Sequence, residues 1–146
     1  MNPVYSLFAT PASFAPFFLR MALATVFFYH GTQKAFGWFG GDGWQQTLEL
    51  WASVDGANLP GPAVAVIMVG ELIIAAALFF GFLTRVAGLS VVLLMAGTLF
   101  YTQDGSFAAI EYSLVLMACG LALTGIGGGR LSVDRGLSAN LLPAVG

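Results

Sequence analysis

The sequence predicts an all-α membrane protein: a transmembrane four-helix bundle, up-down-up-down, with a short interfacial amphipathic helix in its first loop. Three observations predict it. The 146 residues are 58% hydrophobic and only 8% charged, whereas a soluble domain carries about 25% charged residues, so this chain cannot cover a water-exposed surface. Four apolar runs approach the ~17–25 residues that cross ~30 Å of hydrocarbon. These runs are continuous rather than alternating, which implies helices and not barrel strands. The length leaves room for a single membrane domain over residues 1–146.

The first span is expected over about residues 13–36, with Pro11 and Pro16 near its start, where proline is tolerated. The second covers about 61–80, entered through Pro60 and Pro62, the third about 86–102 and the fourth about 108–126. Residues 1–19 contain no Lys or Arg, so a cleavable signal lacks its basic region, and the first apolar segment is expected to stay as a span. In the first loop, Trp44, Leu48 and Trp51 recur at helical spacing, and Trp favours the membrane interface. This predicts the interfacial helix over about 44–54, an anchor or a lid, amid Gly37, Gly40, Gly41 and Gly43. The tail, 127–146, opens on helix-ending glycines, followed by capping or turn chemistry in Ser132-Val133-Asp134 and a mobile end from Asn140.

Loop charges set the orientation. Asp42, Glu49, Asp55 and Asp104 fall in the first and third loops, while Arg85, Arg130 and Arg135 fall in the second loop and the tail. Because Lys and Arg prefer the cytoplasmic side, both termini are expected there.

The most informative residue is Glu71, in the middle of the apolar second span. A charge at the centre of a membrane helix costs roughly 3 kcal/mol on insertion scales, so it is expected to face a protein interior and a partner. The first span offers bases. At 100° per residue, Lys34 falls about 40° and His30 about 80° from Arg20, on one face. Ala24 and Gly31 share that face and permit close approach of a neighbouring helix. Two layers are expected. A deep one pairs Glu71 with Arg20 or with His30. An outer one gathers Lys34, Glu111 and Tyr101, near Thr102 and Gln103, with His30 open to either layer, in a polar pocket walled by Phe27, Phe100 and Phe107. Glu71 and His30 are the foremost candidates for a ligand or proton site, although an ion pair can equally serve helix register alone. Lys34 fits a snorkelling residue as well as a ligand group, and Arg85 and Arg130 fit topology determinants.

Other chemistries find little footing. The slightly negative net charge argues against nucleic acid. Cys119 is the sole cysteine, so no intramolecular disulfide or CxxC pair can form, and it reads as a small helix-core residue. No flavin, haem or metal motif and no phosphate-binding loop is present.

Taken in order, Leu19-Arg20, the run HGTQKAFGWFGG from His30 to Gly41, the run GELIIAAALFFGFLTR from Gly70 to Arg85, Glu111 opening the last helix, and a glycine-rich tail ending in Ser132-Val133-Asp134 form a pattern over about residues 14–135. In this the chain resembles the DoxX family of small four-helix membrane proteins. The resemblance implies a bacterial-type inner-membrane protein related to the small membrane subunits of thiosulfate:quinone oxidoreductase, and to membrane complexes that handle thiol and oxidative stress. Arg20, His30, Lys34, Glu71 and Arg85 occupy the family-like positions. Cys119, mid-helix, is unsuited to thiosulfate chemistry.

Three functions compete. In the first, the chain is a quinone-linked oxidoreductase subunit: His30 and Lys34 donate to quinone carbonyls, Glu71 or Glu111 moves protons, and electrons come from a partner. In the second it is a non-catalytic accessory or assembly subunit that packs beside another protein or a second copy of itself. The third, a proton-coupled carrier, has little room in four short spans.

Overall fold

The computed structural model describes residues 3–53, 58–101 and 106–141, and every regular element among them is helical. The helices are α1 (Pro3–Phe8), α2 (Ala15–Phe36), α3 (Gly43–Ala52), α4 (Gly61–Phe80), α5 (Thr84–Tyr101), α6 (Phe107–Ile126) and α7 (Val133–Leu141), with a 3₁₀ turn at Trp38–Gly40. Neither α1 nor α7 was expected from the sequence; α7 folds a stretch read there as turn and mobile tail. The chain divides into two compact units, residues 1–24 with 77–146, and residues 25–76. Helices α2 and α4 pass from one unit into the other.

Among the described residues, α4 is the helix long and apolar enough to cross a membrane, and only 33% of its most apolar window is buried. A core helix of a soluble protein would be largely buried. Here Val66, Val69 and Ile73 stand exposed, as do Phe18 on α2, Leu93 on α5 and Val115 and Leu121 on α6. Exposed apolar area on this scale marks a surface that meets a membrane or another protein. The apolar parts of α5 and α6, Thr84–Phe100 and Ile110–Ile126, are shorter, and α2 carries Arg20, His30 and Lys34. The sequence-based count of four spans therefore rests here on one helix of full length and apolarity.

In the first unit, α5 and α6 pack through facing glycines. A Cβ on Gly88 would lie 2.7 Å from the Gly120 carbonyl oxygen, and one on Gly120 would lie 2.8 Å from that of Gly88. The backbones touch directly, the arrangement that small residues permit between membrane helices. Val91, fully buried, fills the seam next to Gly120. Gly88→Val is expected to wedge the pair apart at a cost of about 1–3 kcal/mol, read as a lowered melting temperature in mild detergent.

Polar residues of the same unit close the helix ends. Helix α4 stops at Gly81, whose φ is 68°, and the Phe82 N–H reaches back to the Ala77 carbonyl at 2.9 Å. This is a glycine stop of the Schellman type, and the carbonyls of the last turn keep lone pairs open to donors from outside the helix. Arg20, fully buried, supplies them: Nη1 donates to Leu78 O at 2.8 Å and Phe79 O at 3.2 Å, Nε to Gly128 O at 2.9 Å, and Nη2 to Leu131 O. A cation is also favoured at a helix C-terminus by the dipole. The Asp134 carboxylate accepts from the N–H groups of Leu83 (2.7 Å) and Thr84 (2.8 Å), capping the start of α5 from the tail helix. Arg85 does for α6 what Arg20 does for α4. Its Nη1 donates to Thr124 O (2.7 Å) and Gly125 O (2.5 Å), and its Nη2 to Ala9 O (2.9 Å).

Candidate functional site

The second unit, residues 25–76, holds the ion pair. Helix α2 meets α4 at Gly31, where a Cβ would lie 2.9 Å from Leu72 Cδ2 and 3.4 Å from Glu71 Cβ. The absence of a side chain lets Glu71 sit beside the next turn of α2. There Lys34 Nζ donates to Glu71 Oε1 at 2.5 Å. Glu71 is 3% exposed, while the Lys34 side chain keeps 23% of its surface open.

Helix α3 covers this pair. Thr47, buried, donates its hydroxyl to the Lys34 carbonyl at 3.3 Å, satisfying an acceptor in the last turn of α2. One turn on, the Trp51 ring lies 5.1 Å from Lys34 Nζ, a cation–π contact. The sequence reading had Trp44, Leu48 and Trp51 as the working face; in the structure Trp44 is exposed, and Thr47 takes the docking position. Its place four residues before Trp51, in the run WQQTLELW, is the signal that could have found it.

Glycine explains how the chain doubles back. Gly37 ends α2 in the left-handed region at φ 71°, with its N–H on the Gln33 carbonyl. At Gly41 a Cβ would lie 2.5 Å from that same carbonyl oxygen. Around the turn, Tyr29 stacks on Phe39 at 4.9 Å and Phe36 packs on Trp38 at 5.3 Å. All four rings are exposed, an aromatic collar of the kind found at membrane–water boundaries.

Within the pair one atom is left over. Glu71 Oε2 is buried and, among the described residues, has no hydrogen-bond partner. An unpaired buried acceptor costs about 1–3 kcal/mol, more when charged, and so calls for an explanation such as a ligand.

The other expected site residues fall elsewhere. Arg20 is not Glu71's partner: each of its guanidinium nitrogens donates to a backbone carbonyl of the first unit. Glu71's partner is instead Lys34, which the sequence places in the outer group. His30 lies exposed one turn before Lys34, its ring edge-to-face with Tyr29 at 5.4 Å. Glu111 is exposed on α6, in the other unit. Tyr101 closes α5, and its side chain, like Thr102, Gln103, Asp55 and Asp104, lies outside the described residues. Of the expected pocket walls Phe27 is buried, whereas Phe100 and Phe107 are 83% and 69% exposed. Arg85 caps the end of α6.

Comparison with known proteins places this arrangement. A family model, DoxX, matches residues 15–104, which takes in α2 through α5 and both members of the ion pair. The chain belongs to the DoxX family. A DoxX-like relative from Bacillus subtilis (strain 168), named "Putative oxidoreductase CatD", is 32% identical over 111 residues, covering 73% of this chain and 76% of its own. No solved structure matches. Membrane association of the family agrees with the exposed apolar faces of the helices.

Proposed function

We propose that this chain is the membrane subunit of a quinone-linked oxidoreductase and that Lys34 and Glu71 form its headgroup site. The observation that carries this reading is the half-satisfied carboxylate of Glu71, buried beside a partly open ammonium. Stability alone is a poor reason to keep such a pair, since apolar residues of similar volume serve a core as well. The family and the oxidoreductase named among its relatives support redox work. A quinone needs an apolar approach and polar groups at its oxygens. The exposed apolar faces of α2 and α4 supply the first, and Lys34, with His30 one turn away, supplies the second.

In this reading α2, α4, α5 and α6 cross an inner membrane up-down-up-down, with both termini cytoplasmic. The aromatic collar beyond Lys34 supports a site in the outer half of the bilayer. Electrons come from a partner subunit or a soluble donor, because the chain carries no flavin, haem or metal motif. An accessory role beside a larger complex is the alternative. It is favoured by Gly70 and Gly97, where an added Cβ would meet nothing, leaving flat places for lateral packing.

The test is direct. Protein purified in mild detergent is expected to retain quinone, or to bind an added short-tail analogue, and to lose that binding at least tenfold in Lys34→Met. Wild-type protein that retains and binds neither the quinone nor the hydroquinone form leaves only the accessory role.

A further inference from the structure

The hydrogen-bonding inventory of the site selects one redox form of its ligand. A carboxylate oxygen can only accept, and an ammonium can only donate, through three N–H groups. Glu71 Oε1 already takes one donor of Lys34, which leaves Glu71 Oε2 as a buried acceptor with no donor. A quinone offers carbonyl oxygens alone. It can accept from Lys34 but cannot satisfy Oε2, and it would set a second lone-pair-bearing oxygen against it. A hydroquinone or other phenol offers an O–H. That one group can donate to Glu71 Oε2 while its oxygen accepts from Lys34 Nζ, and the two atoms are held adjacent by the ion pair.

We propose that the site is built for the reduced, hydroxyl-bearing headgroup, a p-hydroquinone, and discriminates against the oxidised quinone. This rests on the quinone-linked reading above and adds to it which form is held. In this reading the headgroup approaches Oε2 along the part of Lys34 that stays open. Glu71 and Lys34 are thus specificity determinants: the first reads the ligand's proton, the second its oxygen.

The experiment compares three probes on wild-type protein in mild detergent under anaerobic conditions: a decyl p-hydroquinone, the corresponding decyl p-quinone, and the dimethyl ether of the hydroquinone. The ether keeps the reduced ring and its oxygens and replaces each O–H donor with O–CH3. A hydrogen bond to a charged acceptor is worth on the order of tenfold or more in affinity, so the hydroquinone is expected to bind at least ~10-fold tighter than both others. In Glu71→Gln the side chain gains N–H donors, and the preference is expected to shrink to within ~3-fold or to invert. Equal binding of all three probes by wild-type protein overturns the inference and leaves the quinone-linked reading standing. Tighter binding of the quinone also overturns it. Binding of none overturns both. The wild-type comparison decides the matter even if Glu71→Gln does not fold.

Discussion

Arg20→Met is expected to unfold the first unit of this protein, or to leave it too unstable to purify as a single species. The substitution keeps the apolar stem and removes the guanidinium that serves the carbonyls of Leu78, Phe79, Gly128 and Leu131. Each buried acceptor left without a donor costs about 1–3 kcal/mol, and a whole domain is stable by only about 5–15 kcal/mol. Lysine is not an adequate replacement, because a point ammonium cannot spread its donors over a planar fork as arginine does. Arg20→Lys is expected to fall between the two in melting temperature. Thermal unfolding followed by size-exclusion chromatography in mild detergent checks both. An Arg20→Met protein that is monodisperse and melts with wild type would show that those carbonyls find other donors.

The second large effect concerns the ion pair, where stability and binding are expected to part company. Lys34→Met leaves the Glu71 carboxylate buried at 3% exposure with neither oxygen paired. Removing one member of a buried pair typically costs about 3–5 kcal/mol, whereas replacing both with apolar groups is often close to neutral. The single variants Lys34→Met and Glu71→Leu are therefore expected to be strongly destabilised. The double variant Lys34→Met/Glu71→Leu is expected to recover most of the lost melting temperature while binding no headgroup. If the double variant proves no more stable than the singles, the two side chains are not coupled as their geometry requires.

Much of this was legible in the sequence, and the reasons for the gaps are specific. Glu71 announced itself because a carboxylate in an apolar run has few reasons to be there, and it is indeed buried against a base. Its partner was misread because angle and depth on an ideal helix put Arg20, His30 and Lys34 on one face and cannot tell which base already has other work. Arg20 has such work: the glycine stop after α4 leaves carbonyls that the guanidinium fills. That demand arises only once residues distant in sequence meet, as Arg20 and Gly128 do. The same holds for Asp134, whose capping chemistry was read from the tail but whose target, the start of α5, lies about 50 residues away in sequence. Thr47 is not legible in the same way: tryptophans mark interfaces, while a threonine that docks one helix on a last-turn carbonyl of another carries no compositional signal.

Infrared difference spectroscopy, headgroup-bound minus headgroup-free, tests the central claim most directly, because it reads the carboxylate of Glu71 itself. The account predicts carboxylate stretching bands that shift when the hydroquinone probe binds wild-type protein and that are missing from the Glu71→Gln spectrum. Saturating binding with no Glu71-dependent band would contradict it, placing the ligand somewhere other than the unpaired oxygen beside Lys34.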